Sequence, residues 1–347
     1  MKMTFRWFGK EDTIGLEKIR QIPGMSGVVT ALYSKPAGEV WDENEIAELK
    51  QYVEASGLTM EVIESVPVHE DIKLGTGQCE RYIENYKENI RRLAKYGVKC
   101  ICYNFMPIFD WTRSDIHHRL ADGSEALVYY QKEIAQMDPT KLSLPGWDAS
   151  YQPEEVAGLI AQYQAIGEEG LWHNLEHFLK EIIPVAHACD VKMAIHPDDP
   201  CWPIFGIPRI ITNQKNIDRF LKLVDDPYNG LTLCTGSLGC SKENDCVAMA
   251  KRYASMGRVH FVHLRNVLLL ADGSFEESAH LSACGSLDMV AILKELYKAK
   301  FKGYIRPDHG RMIWNEEGKP GYGLYDRALG AAYITGIWET LTKTIHR

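Results

Sequence analysis

The chain has 347 residues with 39 Lys and Arg against 47 Asp and Glu, a formal charge of −8, and 45% hydrophobic residues. No stretch approaches the ~18 apolar residues that span a bilayer, and a pI near 5.9 without a basic block argues against nucleic acid as the main partner. Polar residues follow Met1-Lys2-Met3-Thr4 too soon for a secretory leader, so a cytoplasmic protein is expected. Nine cysteines without a C-x-x-C pair then read mostly as buried thiols, not as disulfides or a zinc ribbon.

Short β-branched or apolar runs alternate with longer amphipathic stretches from the first residues onward. Strands are predicted at Thr4–Phe8, Gly27–Leu32, Met60–Val66, Val98–Phe105, Val191–His196, Leu231–Thr235, Val259–Asn266 and Gly303–Pro307. Helices are predicted between them at Thr13–Ile22, Glu43–Ser56, Cys79–Tyr96, Pro153–Ala188, Gln214–Val224, Glu243–Met256, Leu287–Ala299 and Leu324–Thr344. Such alternation means βαβ units and a parallel sheet. Eight strands with eight helices predict an α/β fold closed as a (β/α)8 TIM barrel, with an open doubly wound sheet as the alternative. All of 1–347 is then one catalytic domain. The connection 106–151 is too long for a plain loop and holds Phe109, Trp111, Tyr129, Tyr130 and Trp147. It reads as an ordered insertion after the fourth strand, a lid or an interface segment.

Four ligand-type side chains stand at the ends of four successive strands: His196, Cys234, His263 and Asp308. In a barrel they meet at one end, the end that carries active sites. Two imidazoles, a thiolate and a carboxylate suit Zn, Mn, Fe or Co. A catalytic ion that keeps a position open beyond four protein ligands must be five- or six-coordinate, which favours Mn²⁺, with Fe²⁺ or Co²⁺ as substitutes. Strand alternation puts Phe261, His263 and Arg265 on one face and His260 on the other. It also turns His309 away from Asp308 unless the strand stops at Pro307, where proline cannot continue a central ladder. His309 and Tyr322, the latter flanked by Gly321 and Gly323, are the acid–base candidates, with Asp308 beside them. Arg265, Arg306 and Arg311 are fixed cations for an anionic substrate. His69, in His69-Glu70-Asp71, is a weaker candidate on the same face.

Several blocks resemble those of the mannonate dehydratase family. They are Phe5-Arg6-Trp7, Val66-Pro67-Val68-His69-Glu70-Asp71, Tyr103-Asn104-Phe105-Met106-Pro107 and Phe109-Asp110-Trp111-Thr112-Arg113. Further along come Ala194-Ile195-His196-Pro197-Asp198-Asp199-Pro200, Arg306-Pro307-Asp308-His309-Gly310-Arg311 and Pro320-Gly321-Tyr322-Gly323-Leu324-Tyr325-Asp326-Arg327-Ala328. The resemblance implies a barrel of the xylose-isomerase-like group, a Mn²⁺ requirement and a homo-oligomer, with a dimer favoured. It implies loss of water from D-mannonate to give 2-keto-3-deoxy-D-gluconate, in hexuronate breakdown. It carries over His196, Cys234, His263 and Asp308 as metal ligands and His309 and Tyr322 as catalytic groups; Asn104, His69, Arg265, Arg306 and Arg311 are the expected substrate contacts. A sugar isomerase of the same barrel group and a non-enzymatic structural-zinc protein are the competing readings. In the latter, four ligands would close the site and chelation would unfold the chain.

Overall fold

The computed structural model describes residues 1–141 and 153–345. In chain order the strands are β1 Lys2–Arg6, β2 Met25–Thr30, β3 Thr59–Glu64, β4 Cys100–Tyr103, β5 Asp115–Arg119 and β6 Glu125–Tyr129. Then come β7 Lys192–Ile195, β8 Asn229–Cys234, β9 Val259–Leu264, β10 Asn266–Leu269, β11 Phe275–Ser278 and β12 Tyr304–Pro307. The helices are α1 Leu16–Arg20, α2 Glu43–Ala55, α3 Glu70–Leu74, α4 Cys79–Lys95, α5 Gln131–Ile134 and α6 Pro153–Ala188. They continue with α7 Gln214–Leu223, α8 Thr235–Gly239, α9 Cys246–Ser255, α10 Met289–Lys298 and α11 Tyr325–Thr344. None is long and apolar enough to cross a membrane.

Eight strands close a parallel barrel in the order β1-β12-β9-β8-β7-β4-β3-β2. All eight predicted strands are in it, which decides for closure over the open sheet. The barrel interior is narrow and lined by small or flat side chains: Val29, Val62, Cys100, Cys102, Ala194 and Phe261. Outward-facing residues such as Val28, Ile63, Ile101, Met193, Leu233 and Val262 join the main core beneath the helices. Side-chain alternation along each strand separates the two sets. The same alternation sends Phe261 and His263 inward, with their rings edge-to-face at 4.5 Å. It sends His260 outward, where Gly230 leaves it room.

Local signals account for the helix ends. Asp42, Asn213, Asp245 and Asp288 each accept a first-turn backbone N–H at the start of α2, α7, α9 and α10. The predicted helix over Pro153–Ala188 is there, but it is broken at Gly167, whose φ of 60° and ψ of −168° no helix tolerates.

One expectation needs correction. The stretch Val259–Asn266 is not one strand: it stops at Leu264, and Asn266 begins a hairpin, β10–β11. The connection 106–151, read as an ordered insertion, carries regular structure over its described residues. It contains β5, β6 and α5, and β6 pairs with β11 to make a four-stranded antiparallel sheet, β10-β11-β6-β5. Two connections that read separately in sequence thus pair in space. Trp147 and the Leu144–Asp148 segment lie outside the described residues. Leu127 of this sheet packs with Trp111 and Tyr322, seating the sheet on the barrel mouth.

Candidate metal centre and acid–base pair

The carboxyl ends of the barrel strands meet around a narrow cleft. His196 directly follows β7, Cys234 ends β8, His263 lies in β9, and Asp308 follows β12. One donor atom each from His196, Cys234 and His263 lies within 4.8 Å of the others. Asp308 joins them at the rim, its Oδ2 3.5 Å from Cys234 Sγ and its Oδ1 3.9 Å from His263 Nδ1.

Protonation favours a metal here. Burial raises the Cys234 thiol, but Arg265 and His196 outweigh it and bring it down to about 5, a thiolate at neutral pH. A second thiol, Cys102, also groups with His263 and Glu64. There burial and the Glu64 charge both push the thiol up, so it remains protonated. His196 Nδ1 lies 2.7 Å from the Pro197 carbonyl; burial lowers this imidazole, but the Cys234 and Asp308 charges raise it to about 9, so its Nε2 proton is the one an incoming cation would displace. His263 Nε2 is buried and faces Glu64 Oε2 at 3.2 Å. The donor set therefore fits a divalent ion.

Asp308, His309 and Tyr322 all line the cleft. The strand ends at Pro307, so alternation lapses and His309 is not turned away. Gly321, at φ 78°, makes the turn before Tyr322, and a Cβ there would stand 2.6 Å from Leu127. His309 Nε2 is 2.9 Å from Tyr322 Oη, and its Nδ1 is 3.1 Å from Glu277 Oε1. Trp111 meets the His309 ring at 5.4 Å and Phe8 meets Tyr322 at 4.9 Å, both edge-on. Burial raises the Tyr322 phenol well above its ordinary range.

Arg265 and Arg306 line the cleft, but their charge is already matched. Arg265 binds Glu277, Asp199 and, at 2.8 Å, Asp308. Arg306 reaches Asp308 at 2.8 Å and Glu64 at 3.0 Å. They are the buried counter-ions of a carboxylate lattice. Arg311 and His69 do not line this cleft. Arg311 lies outside it and pairs with Asp326 at 3.0 Å and Asp122 at 2.7 Å. His69 caps α3, accepting the Asp71 N–H at 3.0 Å, and its ring lies 4.0 Å from that of Tyr82. Asn104 does line the cleft, donating to Asp110 at 2.8 Å.

Sequence reasoning missed Glu277, Asp199, Arg113 and Glu64. Glu277 comes from β11 and accepts from Arg113, Arg265 and His309 through one oxygen. Arg113 forks onto Asp199 at 2.7 and 3.1 Å. The block Phe109–Arg113 was visible, but the hairpin carrying Glu277 was not. Gly236 belongs to this shell as well. A Cβ there would stand 2.4 Å from Arg265 Nε and 2.6 Å from its Cζ, and that guanidinium is locked on three sides. Gly236→Ala is expected to push Arg265 off Asp308 and Cys234, lowering bound metal and kcat together by about tenfold or more. Metal analysis of the purified variant beside its turnover checks this.

A closed parallel barrel with a buried His, Cys and Asp cluster at the carboxyl end of its strands defines a class: TIM barrels with a candidate metal site. D-psicose 3-epimerase from Clostridium cellulolyticum H10 shares the fold at 15% identity and a TM-score of 0.57, with both chains fully covered. The D-mannonate dehydratase family model matches residues 1–347. Mannonate dehydratase 2 of Halalkalibacterium halodurans is 54% identical over 345 residues, 99% of this chain and 100% of that one. The Thermotoga neapolitana mannonate dehydratase is 54% identical, with 100% and 99% covered. The structure of the Streptococcus suis serotype 2 mannonate dehydratase superimposes with a TM-score of 0.93 at 50% identity, covering 99% and 95%. The chain belongs to the D-mannonate dehydratase family, a family of carbon–oxygen lyases.

Proposed function

We propose that this site removes water from D-mannonate to give 2-keto-3-deoxy-D-gluconate, with His196, Cys234, His263 and Asp308 holding Mn²⁺, and Fe²⁺ or Co²⁺ as substitutes. The observation that carries the reading is the placement of the Glu277–His309–Tyr322 chain beside a buried thiolate–imidazole donor set. When bound, the divalent ion supplies Lewis acidity at the substrate carboxylate and its neighbouring hydroxyl, which makes the C2 proton removable.

The residues divide the proton work. Glu277 accepts the Nδ1–H of His309, which orients the ring and leaves Nε2 with a lone pair toward the cleft. His309 takes the C2 proton as base. Tyr322, held as a phenol by burial, gives its proton to the C3 hydroxyl as that group departs as water. The enol left between C2 and C3 gains a proton at C3 and becomes the 2-keto acid. Trp111 and Phe8 wall the pair from bulk water. The chain acts as a cytoplasmic homo-oligomer, a dimer, as a single catalytic domain in which 106–151 is a lid or interface segment.

The sugar-isomerase reading rests on a shared fold alone. A structural zinc is disfavoured by the open cleft beside the donors. Incubation with D-mannonate and Mn²⁺ is expected to yield a 2-keto-3-deoxy acid in the thiobarbiturate colour assay. EDTA is expected to abolish product while circular dichroism stays folded, and added Mn²⁺ to restore it. Absence of product with metal-loaded protein would overturn the reading.

A further inference from the structure

A second chamber, about 360 Å³, adjoins the catalytic cleft on the β2–β4 side of the barrel mouth. Ser65, Asn104 and Asp110 line both spaces. The metal donors come from β7–β9 and the end of β12, so this chamber lies across the mouth from them. A six-carbon acid with C1 at the metal and C2–C3 at His309 and Tyr322 must send C4–C6 and their three hydroxyls away from the donors. Among the described residues, the space that continues the cleft is this chamber.

Its charges are already matched. Lys73 binds Glu70 and the Met106 carbonyl, each at 2.7 Å, and Glu70 also accepts from Tyr163. Lys35 pairs with Glu45 at 2.8 Å. Among the described residues that line it, each cation already has a carboxylate partner. At the junction the Asp110 carboxylate stands 2.8 Å from Asn104 Nδ2. Arg209 holds the backbone behind it through the carbonyls of Phe109 and Asp110, at 2.7 and 3.2 Å. A positioned carboxylate accepts from hydroxyls and repels carboxylate or phosphate in a partly desolvated space.

The geometry points to Asp110, with Asn104 and Ser65, as the subsite that reads the C4–C6 hydroxyl tail and excludes acids carrying a second negative end. This rests on the dehydratase reading above. The test compares three substrates on the Mn²⁺-loaded enzyme and Asp110→Asn. They are D-mannonate, a four-carbon aldonic acid with the same C2 and C3 configuration, and the hexaric acid in which carboxylate replaces the C6 alcohol. Asp110→Asn is expected to lower kcat/KM for mannonate about 10–100-fold, the scale of a hydrogen bond to a charged acceptor. The four-carbon acid should change less than about twofold, and the hexarate-to-mannonate ratio should rise at least about tenfold. Equal loss on the six- and four-carbon acids, or no loss on either, would overturn the assignment. The wild type gives a check independent of the variant's folding: comparable efficiency on hexarate and mannonate would also overturn it. Wild-type turnover of mannonate in the same series separates a failed subsite from a failed dehydratase reading.

Discussion

Tyr322→Phe and His309→Asn are each expected to lower kcat by about 10²–10⁴-fold while leaving bound metal at the wild-type level. The two side chains share one hydrogen bond of 2.9 Å, so they act as a unit. The double variant should therefore be little worse than the poorer single one. Neither residue belongs to the three-donor group, which is why metal content should hold. Steady-state kinetics paired with metal analysis checks both parts. Near-normal turnover of both variants with full metal would remove the pair from the chemistry.

Glu277→Gln is expected to destabilise the fold by about 3–5 kcal/mol, because it strands buried cations that one carboxylate serves. Arg113, Arg265 and His309 all meet the same Glu277 oxygen, and the side chain is 1% exposed. The loss should appear as a lower denaturation midpoint and as reduced kcat, since His309 loses the acceptor that orients it. The pH dependence follows from the sign of the shift. Burial alone raises the Glu277 carboxyl, but Arg265, His309 and Arg113 bring it down to about 2, below its unfolded value. Its contribution is then fully present above the unfolded carboxylate range near pH 4.5, and is lost as pH falls through about 2. Asp199 is shifted the same way by Arg113 and Arg265 against the cost of burial. The wild type should lose stability steeply across that acid window, and Glu277→Gln should lose less of it. Denaturation midpoints measured from pH 7 down to pH 2 check the slope.

Much of the site was legible because barrel geometry converts position along a strand into position in space. His196, Cys234, His263 and Asp308 stand at strand ends, and parallel closure puts all strand ends at one mouth. Period-two alternation was enough to choose His263 over His260. It lapsed past Pro307, where His309, two residues on, escapes the ladder and faces the cleft beside Asp308. Residue type alone left the arginines' partners open. Sequence shows a cation but not its counter-ion, and Arg265, Arg306 and Arg311 all have carboxylate partners. His69 read as a site residue for the same reason, since a helix-capping imidazole and a substrate-binding one look alike before the fold is known.

The periodicity of the chain, read without coordinates, determined the eight strands, their helices and the class of chemistry, because those depend on local patterning and on residue type at strand ends. Glu277 could not be found that way. Its role depends on a β11–β6 pairing between Phe275 and Tyr129, residues 146 positions apart in sequence. Non-local pairing and the matching of buried charges are properties of the whole fold. Tertiary structure alone decided which acids hold the cations and which thiol its neighbours draw down.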